Sequence, residues 1–174
     1  MGPLRLIDEV GADIAADVAA TLATAFPDRV KVPQILLQMV KAGLLGRKSG
    51  KGFLIHDKDK NPEVSREAAA LQTHSETTHT RDELARRMSL LMVNEAAMCL
   101  QEELVESAGD VDFAMVMGTG FAPFRGGPLR YADSLGARAV VDELTRFTES
   151  AASYYAPCAR LVEMAKNGWR FYED

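Results

Sequence analysis

With 174 residues, 47% of them hydrophobic, the chain can build one ordinary domain or two small ones, each with a core. A net charge of −5 excludes a general nucleic-acid binder, which carries a basic excess. No apolar run approaches the roughly 20 residues that span a bilayer, no basic-then-apolar leader opens the chain, and Phe171-Tyr172-Glu173-Asp174 forms no recognisable address, so a soluble cytoplasmic protein is expected. Taken in chain order, helical spacing dominates. Ile14, Val18 and Leu22, with Ala15 and Ala19, make one apolar stripe; Ile35, Leu36, Met39 and Val40 make another, which Gly43 is placed to cap. Gly52-Phe53-Leu54-Ile55-His56 is the one short run that reads as extended. From 57 to 80 the sequence turns polar and loses its period, which predicts a linker with one helical turn near 66–71. The longest helix is predicted over 81–106, and its stretch 88–100 is apolar nearly all round, as in a helix buried on most faces. Ser107 with Asp110 three positions on predicts a capped helix through Val111, Ala114 and Met115 that ends at Gly118. A Gly/Pro-rich turn over 120–128 follows, then helices over 138–148 and 156–167. Cys99 and Cys158 lie in apolar segments and are expected as buried, reduced thiols.

The chain also repeats itself. Gly2-Pro3-Leu4-Arg5-Leu6-Ile7-Asp8-Glu9-Val10-Gly11 returns as Gly127-Pro128-Leu129-Arg130-Tyr131-Ala132-Asp133-Ser134-Leu135-Gly136, an offset of 125 residues. At the same offset Leu36, Met39, Lys41 and Gly43 return as Leu161, Met164, Lys166 and Gly168. The expected fold is all-α with two tandem related helical units: a first unit over 1–56, a polar linker over 57–80 and a second, complete unit over 81–174. The first unit opens abruptly at Met1, so the chain is expected to start inside it and to be part of something longer.

Motifs that could carry chemistry fare poorly. Gly46-Arg47-Lys48-Ser49-Gly50-Lys51-Gly52 lacks the four-residue spacing and the hydroxyl residue of a phosphate-binding P-loop. Arg47, Lys48 and Lys51 are left as solvated turn residues or as a contact for an anionic ligand or a neighbouring domain. Gly118-Thr119-Gly120-Phe121-Ala122-Pro123 lacks the third glycine of a dinucleotide fingerprint and follows a helix rather than a strand. His56, His74 and His79 do not have metal-ligand spacing, and no metal site is expected. Asn94 and Glu95 interrupt an apolar helix face and need partners, at a cost of about 1–3 kcal/mol each if left bare. They either tie the helix to the 121–127 turn or serve catalysis. Asp8 and Asp133, at equivalent repeat positions, read as helix caps or as buried bonds to the Gly-Pro-Leu-Arg turn. No catalytic or cofactor-binding residue emerges from the sequence.

Three stretches give a resemblance: the Gly-Pro turn and helix over 2–11; Gly46-Arg47-Lys48-Ser49-Gly50-Lys51-Gly52-Phe53, similar to a Gly-x-Lys-x-Gly-x-Gly-Phe signature; and Gly120-Phe121-Ala122-Pro123-Phe124-Arg125-Gly126-Gly127-Pro128-Leu129-Arg130-Tyr131-Ala132-Asp133. Together they resemble the helical C-terminal region of the 3-hydroxyacyl-CoA dehydrogenase family, and within it the multifunctional fatty-acid β-oxidation α subunits, whose tandem units set them apart from short single-unit members. The resemblance implies a parent chain with an upstream Rossmann NAD-binding domain and an enoyl-CoA hydratase domain, oxidising (S)-3-hydroxyacyl-CoA to 3-ketoacyl-CoA with NAD. A thiolase subunit is a further partner of such a parent, and self-association is expected from surfaces that the truncated start would leave exposed. The family's His–Glu pair and its assisting Asn match no position here, and the corresponding place on the second unit's long helix reads Arg86-Arg87. These residues alone are therefore expected to be inactive and to hold no cofactor, supporting the acyl-CoA cleft, domain packing and subunit association. The alternative is a free-standing helical interaction or acyl-CoA-binding module.

Overall fold

The computed structural model describes residues 2–57, 63–72, 79–150 and 152–172. The chain divides into two compact units, Met1–Thr78 and His79–Asp174. The first holds α1 (Pro3–Val10), α2 (Ala12–Ala25), α3 (Gln34–Lys41), a two-residue antiparallel ladder of β1 (Leu54–Ile55) with β2 (Glu63–Val64), and α4 (Arg66–Ala70). Pro3 opens α1, where its missing N–H costs nothing. Gly11, at φ 112, takes the positive angle that turns α1 directly into α2. The small core gathers Ala12, Met39, Leu44 and Ala68, with Ile7, Ile35, Val40, Phe53 and Leu71 around it.

The second unit holds α5 (Arg81–Gln101), α6 (Ala108–Thr119), α7 (Pro128–Leu135), α8 (Ala137–Ser150) and α9 (Ala159–Asn167). Thr80 Oγ1 accepts from Glu83 N at 3.1 Å, so Thr80 and Glu83 sit where a capping box would place them. Ser107 Oγ accepts from Asp110 N and donates to its carboxylate, as the sequence predicts. Leu90, Val93, Ala97, Leu129, Val140, Leu144, Phe147 and Leu161 are all buried in one cluster. Each large side chain there contributes about 1.5–3 kcal/mol of burial.

Four readings of the sequence need correction. The stripe of Ile14, Val18 and Leu22 faces outward; α2 packs on α3 through Ala12 and Ala16, small residues that allow close approach. The segment 57–80 is more than a linker. Ser65 is buried, donates its N–H to Phe53 O and caps α4, and Ala68 sits in the core, so 63–71 completes the first unit. Helix α5 ends at Gln101 rather than at 106, because Glu103 takes a positive φ of 55° and turns the chain toward the Ser107 cap. Helix α6 runs through Gly118 and stops at Gly120, whose φ of 71° lets Phe121 N donate back to Met115 O.

Candidate functional site

The glycine-rich loop of the first unit is built around Asp8. Gly46 turns at φ 97, residues Arg47–Ser49 make one 3₁₀ turn, and Gly50 follows at φ 79. A Cβ on Gly46 would run into the backbone of Asp8, and one on Gly52 into the Asp8 carboxylate, so both glycines are required by that approach. Asp8 is fully buried and its oxygens accept from Phe53 N and Leu54 N at 2.8 Å, with His56 Nε2 also 2.8 Å away. The His56 side chain is only 5% exposed, so the pair fastens strand to helix and presents no imidazole to a substrate.

The three cations that the sequence singles out in this loop are already engaged. Lys48 Nζ lies 2.6 Å from Asp13 Oδ2, Lys51 Nζ 2.9 Å from Glu67 Oε1, and Arg47 Nε 3.4 Å from Glu9 Oε2. The Lys48 hydrogen bond holds the Asp13 carboxyl below the ordinary aspartate value. Exposed pairs of this kind are worth about 0–1 kcal/mol and fix loop geometry more than they hold a ligand.

In the second unit Asp133 repeats the Asp8 device, accepting from Phe171 N and Tyr172 N at 3.0 Å. Neither aspartate bonds the Gly-Pro-Leu-Arg turn, as the sequence reading allowed. That task falls in the second unit to Asp112, which the sequence reading missed. Asp112 is buried, and it accepts from Leu129 N at 2.7 Å, Arg130 N at 2.9 Å and the Tyr172 hydroxyl at 2.7 Å. Its signal was available: an acid inside the apolar run Val111-Asp112-Phe113-Ala114-Met115 raises the same question of partners as Asn94. Desolvation, reinforced by the Asp112 bond, pushes the Tyr172 phenol above its usual range. Asn94 is buried as expected, but its partners are Ala156 O and Cys158 N, both at 2.9 Å, and not the 121–127 turn. Glu95, expected beside it in the interior, is exposed.

His79 precedes α5 and bonds to its first turns, 3.1 Å from Glu83 Oε1 and 2.9 Å from Arg87 Nη1, while His74 lies outside the described residues. Cys99 and Cys158 are free thiols; Cys158 is buried, which raises its thiol above the ordinary value, and Cys99 is half-buried. Among the described residues no three His, Cys, Asp or Glu side chains are arranged to hold a metal, and no helix is long and apolar enough to cross a membrane.

Fold and site together define a class: a helical domain of two compact units whose acids are spent on backbone amides that lock glycine turns. Comparison with known proteins gives the family. Residues 1–56 match the model described as 3-hydroxyacyl-CoA dehydrogenase, C-terminal domain. The chain is 38% identical over 99% of its length to the fatty acid oxidation complex subunit alpha of Shewanella loihica, and 39% identical over 99% to that of Vibrio cholerae. It spans about a quarter of the length of these relatives, 25% and 24%. Among solved structures, 3-hydroxybutyryl-CoA dehydrogenase from Escherichia coli matches 96% of the chain and 51% of its own, at TM-score 0.69 and 20% identity. The dehydrogenase part of multifunctional enzyme 1 from C. elegans matches 94% of the chain and 38% of its own, at TM-score 0.62 and 23% identity. These two likenesses establish the fold. Residues 1–56 thus match the C-terminal domain of the 3-hydroxyacyl-CoA dehydrogenase family, and the chain as a whole is similar to a quarter-length stretch of fatty acid oxidation α subunits.

Proposed function

We propose that this chain serves as the helical region of an NAD-dependent 3-hydroxyacyl-CoA dehydrogenase in fatty-acid β-oxidation. Its parent would oxidise (S)-3-hydroxyacyl-CoA to the 3-ketoacyl-CoA and also carry enoyl-CoA hydratase. The observation that carries this reading is the identity of 38% to a fatty acid oxidation α subunit, sustained across both units. Hydride transfer needs cofactor, base and substrate in contact. The carboxylates and histidine described above are engaged in structure, so the chemistry belongs to a Rossmann NAD-binding domain of the same polypeptide. The helical units then back the acyl-CoA cleft and pack against that domain. The loop with Arg47, Lys48 and Lys51 suits an interdomain contact better than a phosphate cradle, since each cation has a carboxylate in its own unit. The offset of 125 residues, kept in sequence and in the Asp8 and Asp133 clamps, supports descent of the two units from one duplicated ancestor.

A segment swap tests the reading. Replacing the matching 173-residue stretch of the Vibrio cholerae α subunit by this chain should leave NADH-dependent reduction of acetoacetyl-CoA measurable in the chimera, while the chain alone stays at background. A folded but inactive chimera, or turnover by the chain alone near that of a whole dehydrogenase, would defeat it. Self-association, and a thiolase subunit as partner, belong to the same reading. Leu4, Leu6, Val10, Ile14, Val18, Leu22 and Phe26 leave α1 and α2 with an exposed apolar face. Sedimentation of the chain at high concentration should show association that the pair Val18→Lys and Leu22→Lys abolishes; a monodisperse monomer would remove this part.

A further inference from the structure

The second unit carries a groove that the dehydrogenase reading does not use. It consists of two adjoining hollows that share Asp133 and Arg170. The first, about 400 Å³, is lined by Arg125, Arg130 and Arg170 with Phe124 and Tyr131. The second, about 250 Å³, is walled by Trp169, Met164, Ala165 and Ala137, with Arg138 also on its lining. One end carries the three arginines, and the other is mostly apolar with an aromatic plate.

The cationic end is ordered before any ligand arrives. The Arg130 guanidinium lies 3.8 Å from the centre of the Tyr172 ring, and that of Arg125 lies 4.4 Å from the centre of Tyr131. Stacking holds a guanidinium plane still and leaves its N–H fork for an oxyanion, the geometry that suits phosphate. Three arginines and one carboxylate line this end. That carboxylate, Asp133, has an oxygen on each of two backbone amides, so its charge is partly spent. At the other end Trp169, the chain's single tryptophan, is 55% exposed. An exposed indole beside Met164 and Ala165 offers a flat base a stacking surface. The larger hollow alone falls within the range of about 300–1,000 Å³ usual for small-ligand sites.

We propose that this groove binds a phosphorylated purine nucleotide, with its phosphates on Arg125, Arg130 and Arg170 and its base against Trp169. Charge accounts for the first half and the apolar, aromatic wall for the second; a bare anion would leave that wall unused. The same chemistry is offered by a free nucleotide and by the nucleotide end of coenzyme A, and the inference stands whichever supplies it and whether or not the dehydrogenase reading holds.

Trp169 makes the test direct. Titrating the 174-residue chain with ADP, coenzyme A and inorganic phosphate while following tryptophan emission should give saturable quenching by the two nucleotides. Phosphate should compete without quenching. The double variant Arg125→Ala, Arg170→Ala should bind ADP at least about tenfold more weakly while its far-ultraviolet dichroism still reports a folded helical chain. Coenzyme A binding about tenfold tighter than ADP would name the acyl carrier as the source; equal affinity would name the free nucleotide; both support the site. Emission unmoved by millimolar nucleotide, ADP binding no tighter than phosphate, or a double variant that binds as well as the parent would overturn it.

Discussion

The two units use the same devices and bury them to different depths. Gly11 N donates to Ile7 O and Gly136 N to Ala132 O, and both glycines turn one helix into the next. Leu44 N closes on Met39 O as Trp169 N closes on Met164 O, each over a glycine near φ 70. Yet Leu4 is 51% exposed where Leu129, at the corresponding position, is fully buried, and Leu22 is 42% exposed where Phe147 is at 2%. Within the second unit the difference is α5 and α6, which pack on α7 and α8 and cover that face. The short turn-helix pattern therefore specifies local geometry but not burial. A core comes from the long helix laid across it.

Single substitutions at paired positions sharpen this contrast. Gly127→Ala should unfold the second unit, at a cost of about 4 kcal/mol or more, because its φ of 110° disfavours a side chain and the new Cβ would strike Asp112. Gly2→Ala, with φ −75 and nothing within 4 Å of the new Cβ, should change stability by no more than about 0.5 kcal/mol. Trp169 emission through a urea titration reports the first result and far-ultraviolet dichroism the second. Leu129→Ala should cost about 2–5 kcal/mol, and Leu4→Ala less than about 1 kcal/mol, in the same titrations. Equal losses at the two leucines would mean that the first unit's open face is covered in solution.

The clamps come next in size. Asp112→Ala and Asp8→Ala should each lose about 3 kcal/mol, since each strands buried backbone amides. Asp133, only half-buried, should lose about 1–2 kcal/mol on the same change. The smallest effect belongs to Lys48→Gln. The Asp13 carboxyl, depressed by Lys48, contributes stability that is present above the unfolded aspartate value and lost as pH falls through the folded one. Removing Lys48 should return Asp13 to the ordinary value in an NMR titration, and an unmoved titration would show the pair absent in solution.

Much of the scaffold was legible before any coordinates. The all-helical class, a longest helix starting at Arg81 (though read to 106 rather than to Gln101), the Ser107 cap and the turn at 120–128 follow from spacing and turn chemistry alone. What failed did so for identifiable reasons. Periodicity finds an apolar stripe on α2 but cannot say which way it faces, and here the alanines won the interior because they let α3 come close. Polar composition made 63–70 look like linker, whereas Ser65 is buried by its own cap. Asp112 escaped although its apolar surroundings ask for partners, because its amide donors lie 17 and 18 positions on and meet it only in the fold. The arginine-lined groove escaped for a related cause: Arg170 lies 40 positions beyond Arg130 and joins Arg125 and Arg130 where Asp133 holds the 171–172 backbone.

That hold also bears on how the protein is made. Asp133 waits for amides 38 and 39 residues downstream, and Asp112 for a hydroxyl 60 residues away. During vectorial synthesis the first unit has all of its Asp8 partners once residue 56 has emerged from the ribosome. The second unit cannot complete the bonds of Asp112 and Asp133 until residue 172 is out. Until then Asp112 holds at most two of its three donors, and chaperones would meet the unit as an unfinished helical bundle.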